Sequence, residues 1–330
     1  MRLLITGGAG FIGSNFVEYI LKKYSDYQVL NLDALTYAGS LENLKAVMDN
    51  PRHQFVQGRI EDGKLVDKLM EGIDTVINFA AESHVDRSIV EPQVFIETNV
   101  LGTQVLLDAA VRHKVRLFYQ VSTDEVYGAL ELDSKERSTE NSPLCPNSPY
   151  AASKTSADLL VRAYRRTYGL PVVLSRCTNN YGPRQHAEKF IPTVILNALE
   201  DKPIPIYGDG CYVRDWIHVL DHCGAIDLIM HKGRVGEVYN IGADNEWANI
   251  ELARKILRII GKPETLLQSV PDRPGHDRRY AIDSTKIKEE LAWSPQVPFD
   301  SGLMETVESY TPRNIRDCGH HGKAHQVPLV

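Results

Sequence analysis

The sequence predicts an α/β fold: a doubly wound parallel sheet followed by a smaller, mixed C-terminal lobe. Three observations carry this. Short apolar runs alternate with helix-length periodic stretches through the first half, the pattern of βαβ units. The first run feeds directly into Gly7-Gly8-Ala9-Gly10-Phe11-Ile12-Gly13. Beyond about residue 180, prolines at 183, 192, 203 and 205 break the alternation and the segments shorten.

In chain order, residues 3–6 read as the first buried strand, and the glycines after it open a helix over 11–23. The G-x-x-G-x-x-G spacing puts Gly7, Gly10 and Gly13 where a dinucleotide loop needs them. One makes the tight turn, one admits a pyrophosphate to the backbone, and one lets helix pack on strand. Residues 28–33 form the second strand, ending on Asp33, 20 residues past Gly13. A carboxylate there accepts from adenosine ribose hydroxyls and repels a 2′-phosphate, so NAD is expected over NADP. A Rossmann arrangement follows, with further strands expected at 54–57, 75–79, 117–122 and 172–175 and helices at 40–49, 63–70, 93–112 and 150–168. Residues 237–241 are expected to return to the main sheet. We therefore expect a cofactor domain over 1–180, a substrate lobe mainly over 181–310, and a tail over 311–330.

Bulk properties narrow the function. A net charge of -6 argues against nucleic acid as a partner, which requires a broad basic face. Small anions remain accessible to a local arginine cluster. The five cysteines form no C-x-x-C pair and indicate neither a disulfide framework nor a zinc site. Cys318, His320, His321 and His325 in the tail lack any recognised ligand spacing, so no metal is expected. The first five residues are too short for a signal peptide, and no run of 18 apolar residues exists. The expectation is a cytoplasmic protein without a membrane span.

Two further patterns carry chemistry. Tyr150 and Lys154 are four apart at the start of a helix and share a face. A tyrosine acts as a base near neutral pH only with help, and a nearby ammonium lowers its pKa. Ser122-Thr123-Asp124-Glu125 follows the strand over 117–122, at the sheet edge where open α/β folds place ligands. Adjacent carboxylates there suit an acid and a base with opposite tasks.

With these residues in place, the chain resembles the extended short-chain dehydrogenases, and within them the dTDP-glucose 4,6-dehydratases. The resemblance is carried by TGGAGFIGSNF, LDALTYAGSLENL, NFAAESHVDRSI, STDEVYG, SPYAASK, NNYGP, PIYGDG, VRDWIHV and DRPGHDRRYAID, and extends to about residue 283. The glycine loop and Y-x-x-x-K are shared with the superfamily's epimerases, whereas the T-D-E triplet is the discriminating element. The resemblance implies NAD as a permanently held cofactor. It implies Tyr150 as the base at O4, with Thr123 holding O4. Glu125 would be the base at C5 and Asp124 the acid for the departing 6-hydroxyl. Implied cofactor contacts are Gly7, Gly10, Phe11, Ile12, Gly13, Asp33, Leu35, Thr36, Ala80, Ala81, Ser83, Thr98, Tyr150, Lys154 and Asn180. Implied sugar and diphosphate contacts are Ser83, His84, Thr123, Asn179, Lys189, Phe190, Arg214 and Asn249. Implied nucleotide contacts are Pro205, Ile206, Tyr207, Asp272, Arg273 and His276. Relatives hold adenine with an aspartate after the residue matching Gly58; this chain has Arg59 there, leaving Ile60 to pack on the ring. Relatives also dimerise through the helices matching 93–112 and 150–168. A UDP-glucose 4,6-dehydratase, a 4-epimerase and a non-catalytic NAD-binding regulator are the competing readings at this stage.

Overall fold

In the computed structural model residues 1–311 are described. Their strands are β1 (Arg2–Thr6), β2 (Gln28–Asp33), β3 (His53–Gln57), β4 (Thr75–Asn78), β5 (Leu117–Thr123) and β6 (Val172–Cys177). These are followed by β7 (Asn179–Tyr181), β8 (Ile204–Tyr207), β9 (Val213–His218), β10 (Val238–Ile241), β11 (Glu246–Ala248) and β12 (Leu267–Val270). Seven of them form one sheet in the order β10-β6-β5-β4-β1-β2-β3, every pair parallel. The expected returning strand is therefore present, at the sheet edge beside β6. Chain order reverses between β1 and β4, and such a switch point leaves a crevice at the C-terminal strand ends.

Both faces of the sheet are covered, so its strands read as apolar runs rather than alternating ones. Leu3, Ile5 and Tyr119 enter one core; Leu4, Leu30 and Phe118 enter the other. A third core joins Ile191, Ile195, Ile206, Trp216, Leu252, Ile256 and Leu303. It lies around a three-stranded sheet (β11-β9-β7) and the β12-β8 pair.

The Pro149–Tyr168 helix follows its sequence signals. Ser148 Oγ accepts from Ala151 N–H at 3.1 Å, Pro149 occupies the first turn, and Gly169 takes φ +69° at the C-terminal end. The Pro92–Arg112 helix has the length and mean hydropathy of a membrane span, but Phe95, Leu106, Leu107, Ala109 and Ala110 on it are buried in the protein. Its middle, Ile96–Gly102, widens into a π turn. That turn presents Asn99, whose amide donates to Glu82 O at 3.0 Å and Ser153 Oγ at 2.8 Å.

The helix expected over 40–49 is not formed. Only a 3-10 turn, Leu41–Leu44, is present, and turns lead on to Pro51. Asn43 explains the outcome: its amide donates to Ala9 O at 2.9 Å and ties the segment to the glycine loop. The expected tail and its Cys318, His320, His321 and His325 lie outside the described residues, apart from Thr311.

Candidate active site

A cleft of about 290 Å³ opens where β1, β4, β5 and β6 end, lined by the residues that follow each strand. Gly7 takes φ +71°, and a Cβ there would lie 2.6 Å from Ala80 N. A Cβ on Gly13 would run into the Gly7 carbonyl, so the Phe11–Lys23 helix can pack this closely only on glycine. Gly10 fronts the cleft, with only the Gly7 carbonyl near its Cβ position. Phe11, Ile12, Thr36, Ala80, Ala81, Ser83, Thr98 and Asn180 all line the cleft.

Asp33 reaches it too, and its two oxygens accept from Ala9 N–H and Leu35 N–H, each at 2.8 Å. Burial raises its pKa, and the backbone N–H groups of Leu35, Ala9 and Gly10 oppose that rise. Leu35, at φ +52°, packs half-buried against the first core, while Thr36, Ala38 and Gly39 line the cleft. At the far end are Gly58, Arg59, Ile60 and Glu61. Thr98 Oγ1 donates to Glu61 at 2.8 Å, and Arg59 pairs with the same carboxylate at 3.4 Å.

Tyr150, Lys154, Thr123, Asp124 and Glu125 meet at the opposite end of this cleft. Lys154 Nζ donates to Val121 O at 2.7 Å, the carbonyl just before the acid-bearing loop. The expected lowering of the tyrosine pKa does not hold in this cleft. Burial, and then the charge of Glu125, push the Tyr150 phenol well above its usual value, with the Thr123 hydroxyl opposing. Burial likewise lowers the Lys154 pKa. Desolvation is the largest influence on both groups.

The two carboxylates differ as an acid and a base should. Thr123 Oγ1 accepts from Glu125 N–H at 3.3 Å and starts the Asp124–Tyr127 turn. Both carboxylates line the cleft, and that turn buries Asp124 more deeply than Glu125. Burial, then the neighbouring charge of Glu125, raise the Asp124 pKa well above the carboxylate range. Burial also raises Glu125, but Arg273, Arg214 and Lys189 all oppose it. Burial raises both carboxyls, but the cations restrain Glu125, so Asp124 holds its proton the more firmly of the two.

Basic and aromatic side chains extend the site. Lys189 Nζ donates to Ser83 O at 2.7 Å. Arg214 donates to Asp277 O at 2.9 Å and lies 4.3 Å from the Tyr280 ring centre. Arg273 donates to Asp86 at 2.9 Å, and Tyr207 OH donates to the same carboxylate at 3.1 Å. His276 stacks on Tyr212 at 3.6 Å, and its Nδ1 is 2.8 Å from Asp272. Burial, then Arg273, bring the His276 pKa down to about 4. Burial, then Lys189, bring His84 down to about 4 as well, so both rings are neutral at pH 7.

Comparison with known proteins agrees with this layout. The family described as GDP-mannose 4,6 dehydratase matches residues 4–306. The Low-salt glycan biosynthesis protein Agl12 of Haloferax volcanii is 53% identical over 94% of this chain and 98% of its own. A dTDP-glucose 4,6-dehydratase of Streptomyces niveus is 51% identical, over 94% and 93%. The crystal structure of DesIV, a dTDP-glucose 4,6-dehydratase of Streptomyces venezuelae with NAD and TYD bound, superposes with a TM-score of 0.91 at 50% identity, covering 96% of this chain and 97% of that one. The chain belongs to this dehydratase family.

Within the dehydratase, the expected residues do not all share one cavity. Ser83, Thr123, Asn179 and Lys189 line the main cleft. Tyr207, Asp272, Arg273 and His276 gather in a second cluster joined through Asp86 and Tyr212, while Pro205 is exposed on β8 opposite Gln268. Ile206 is buried in the third core, and Phe190 packs 6.3 Å from Trp216, so each supports the wall from behind. Asn249 opens the Asn249–Ile260 helix, with its Oδ1 buried and unpaired. Asp86, Asp277, Tyr280 and Cys177 were not singled out from sequence. Asp86, Asp277 and Tyr280 lie within the family-like segments, but only the fold shows that they hold the arginines.

Proposed function

We propose that the protein is an NAD-dependent dTDP-glucose 4,6-dehydratase, releasing dTDP-4-keto-6-deoxyglucose and water. The observation that carries this is the contrast between buried, neutral Asp124 and cation-flanked Glu125, facing Tyr150 and Lys154 across one cleft. A 4-epimerase has no use for such a pair. The cleft suits the dinucleotide because the Gly7, Gly10 and Gly13 positions are free of the Cβ atoms that would close the loop. NAD, held along Gly7, Gly10, Gly13 and Asp33, would supply the acceptor for the C4 hydride and its donor to C6. Tyr150 accepts the O4 proton, and Thr123 hydrogen-bonds O4. Glu125 removes the C5 proton once C4 is a ketone. Asp124 gives its proton to the departing 6-hydroxyl, so water leaves, and C5 is then reprotonated. Arg214, Arg273 and Lys189 supply the positive charge for the diphosphate. Ser83, His84, Asn179 and Asn249 face the sugar side, and Tyr207 and His276 offer rings to the base.

We also propose a cytoplasmic homodimer formed through the 93–112 and 150–168 helices. Ile96, Leu101 and Leu159 support the pairing: each is about half exposed, at 51%, 48% and 51%. Sedimentation of Leu101→Glu should show a monomer. The central test is side-by-side turnover of dTDP-glucose and UDP-glucose with product identified by NMR. A keto-deoxy sugar from dTDP-glucose is expected. A C4 epimer, or no reaction with either sugar, would reject the assignment.

A further inference from the structure

Side chains along β6 alternate between the two faces: Val172 and Leu174 enter one core, Val173 and Cys177 the other. By that alternation position 176 belongs with Val172 and Leu174. The residue there is Arg176, only 1% exposed. A guanidinium buried in a sheet is costly unless paired, so its partners matter. Nε donates to Asp158 at 3.0 Å, and Nη1 donates to Tyr127 OH at 2.9 Å. Tyr127 OH donates onward to Asn240 Oδ1 at 2.8 Å. Ser122 on β5 and Asn240 on β10 flank Arg176 in the ladder. Two of these contacts lead to the reaction site. Asp158, wholly buried, is one helical turn beyond Lys154. Tyr127 ends the turn that carries Asp124 and Glu125.

We propose that Asp158 and Arg176 are positioning residues: Asp158 is the counter-charge of the buried Lys154 ammonium, and Arg176 ties Asp158 to the turn bearing the acid pair. This rests on the roles given above to Tyr150 and Lys154. Lys154 is faced by the Val121 carbonyl from β5, the Cys177 thiol from β6, and Tyr150 and Asp158 on its own helix. Burial, then Asp124, push the Cys177 thiol up to about 12, and Tyr150 is raised as well, so neither is an anion near pH 7. Asp158 supplies the negative charge. Burial pulls the Lys154 pKa down and Asp158 is the first group to oppose it. Burial pushes Asp158 up, and Arg176, then Lys154, oppose that. Ser122 lies beside the same carboxylate and also opposes its rise. The result is an alternating buried row, ammonium, carboxylate, guanidinium.

The test is the pH profile of kcat/KM for the full-length enzyme, its Asp158→Asn variant and the Asp158→Asn/Arg176→Met double variant. The double variant removes the guanidinium that Asp158→Asn alone would leave unpaired, which limits misfolding, and urea unfolding checks that it is folded. With its counter-charge gone, Lys154 loses its proton earlier, and the alkaline limb should move to lower pH by about one unit or more. A folded double variant with the wild-type alkaline limb overturns the proposal. Tyr127→Phe keeps every charge, so it should lower kcat while leaving that limb in place; wild-type kcat overturns the tie to the acid turn. Tyr150→Phe separates the two levels: near-normal turnover there rejects the Tyr150–Lys154 reading itself, whatever the limb does.

Discussion

Replacing Asp124 by Asn should move activity and stability in different directions. The side chain keeps its size, so the change isolates the proton. In the folded protein this carboxyl is wholly desolvated, beside Glu125, with Oδ2 lacking a hydrogen-bond partner. Its pKa is therefore far above the unfolded value of about 4. A raised acid contributes stability that is complete below the unfolded pKa and is lost as pH rises through the folded one. Each unit of such a shift corresponds to about 1.4 kcal/mol at a pH above both values. An amide has no charged form and escapes that loss. Urea midpoints of the variant, measured from pH 4 to pH 9, should thus rise relative to wild type as pH increases. Turnover should fall by about 10²–10⁴, the usual worth of a positioned acid, or about 2.7–5.4 kcal/mol of barrier. The loss should fall on elimination, so reduced-cofactor absorbance should build up after mixing with dTDP-glucose. Activity within tenfold of wild type would remove Asp124 from the mechanism. A midpoint difference that ignores pH would show that the carboxyl is not held neutral.

Tyr150→Phe should reduce turnover by about 10²–10⁴ at unchanged folding, measured by product formation and circular dichroism. Apo-protein should regain activity with NAD and poorly with NADP, because a 2′-phosphate would meet Asp33; equal rescue would move that carboxylate away from the ribose. Turnover of a mixture of C4-deuterated and unlabelled sugar should carry deuterium to C6 of the same molecule, with solvent hydrogen at C5. Label scrambled between molecules in the mass spectrum would exclude a sequestered hydride. The acid limb of kcat should lie at higher pH than that of kcat/KM; coincident limbs would show that Glu125 does not sense the bound substrate.

What could be read from sequence was whatever local chemistry dictates. Gly7 and Gly13 announce a loop that only glycine can make, and Ser148-Pro149 and Gly169 bracket a helix with its own start and stop signals. The central strands were legible because burial on both faces makes them apolar runs. The segment over 40–49 misled because its amphipathic spacing competes with a tertiary bond, Asn43 to Ala9, that no local pattern records. Asp86 and Arg176 carry no local signal, and only the fold shows the first between Arg273 and Tyr207 and the second inside the sheet. The expected effect of Lys154 on Tyr150 failed because spacing shows proximity but not desolvation.

The charges of the site link binding to chemistry. On a chain of net charge -6, the cations Lys189, Arg214 and Arg273 converge on one place and all lower the proton affinity of Glu125. Burial raises the Glu125 pKa, and the field of these cations limits that rise. These cations are also the groups proposed to take the diphosphate. An anion seated on them cancels much of their field at Glu125, because charges in a desolvated cleft are poorly screened. Glu125 would then become more basic when a substrate is present, which is when the C5 proton must be taken. Asp124 gains less from the change, since Arg214 is the one cation prominent around it and its own burial already keeps it protonated. Substrate binding would thus strengthen the base without discharging the acid.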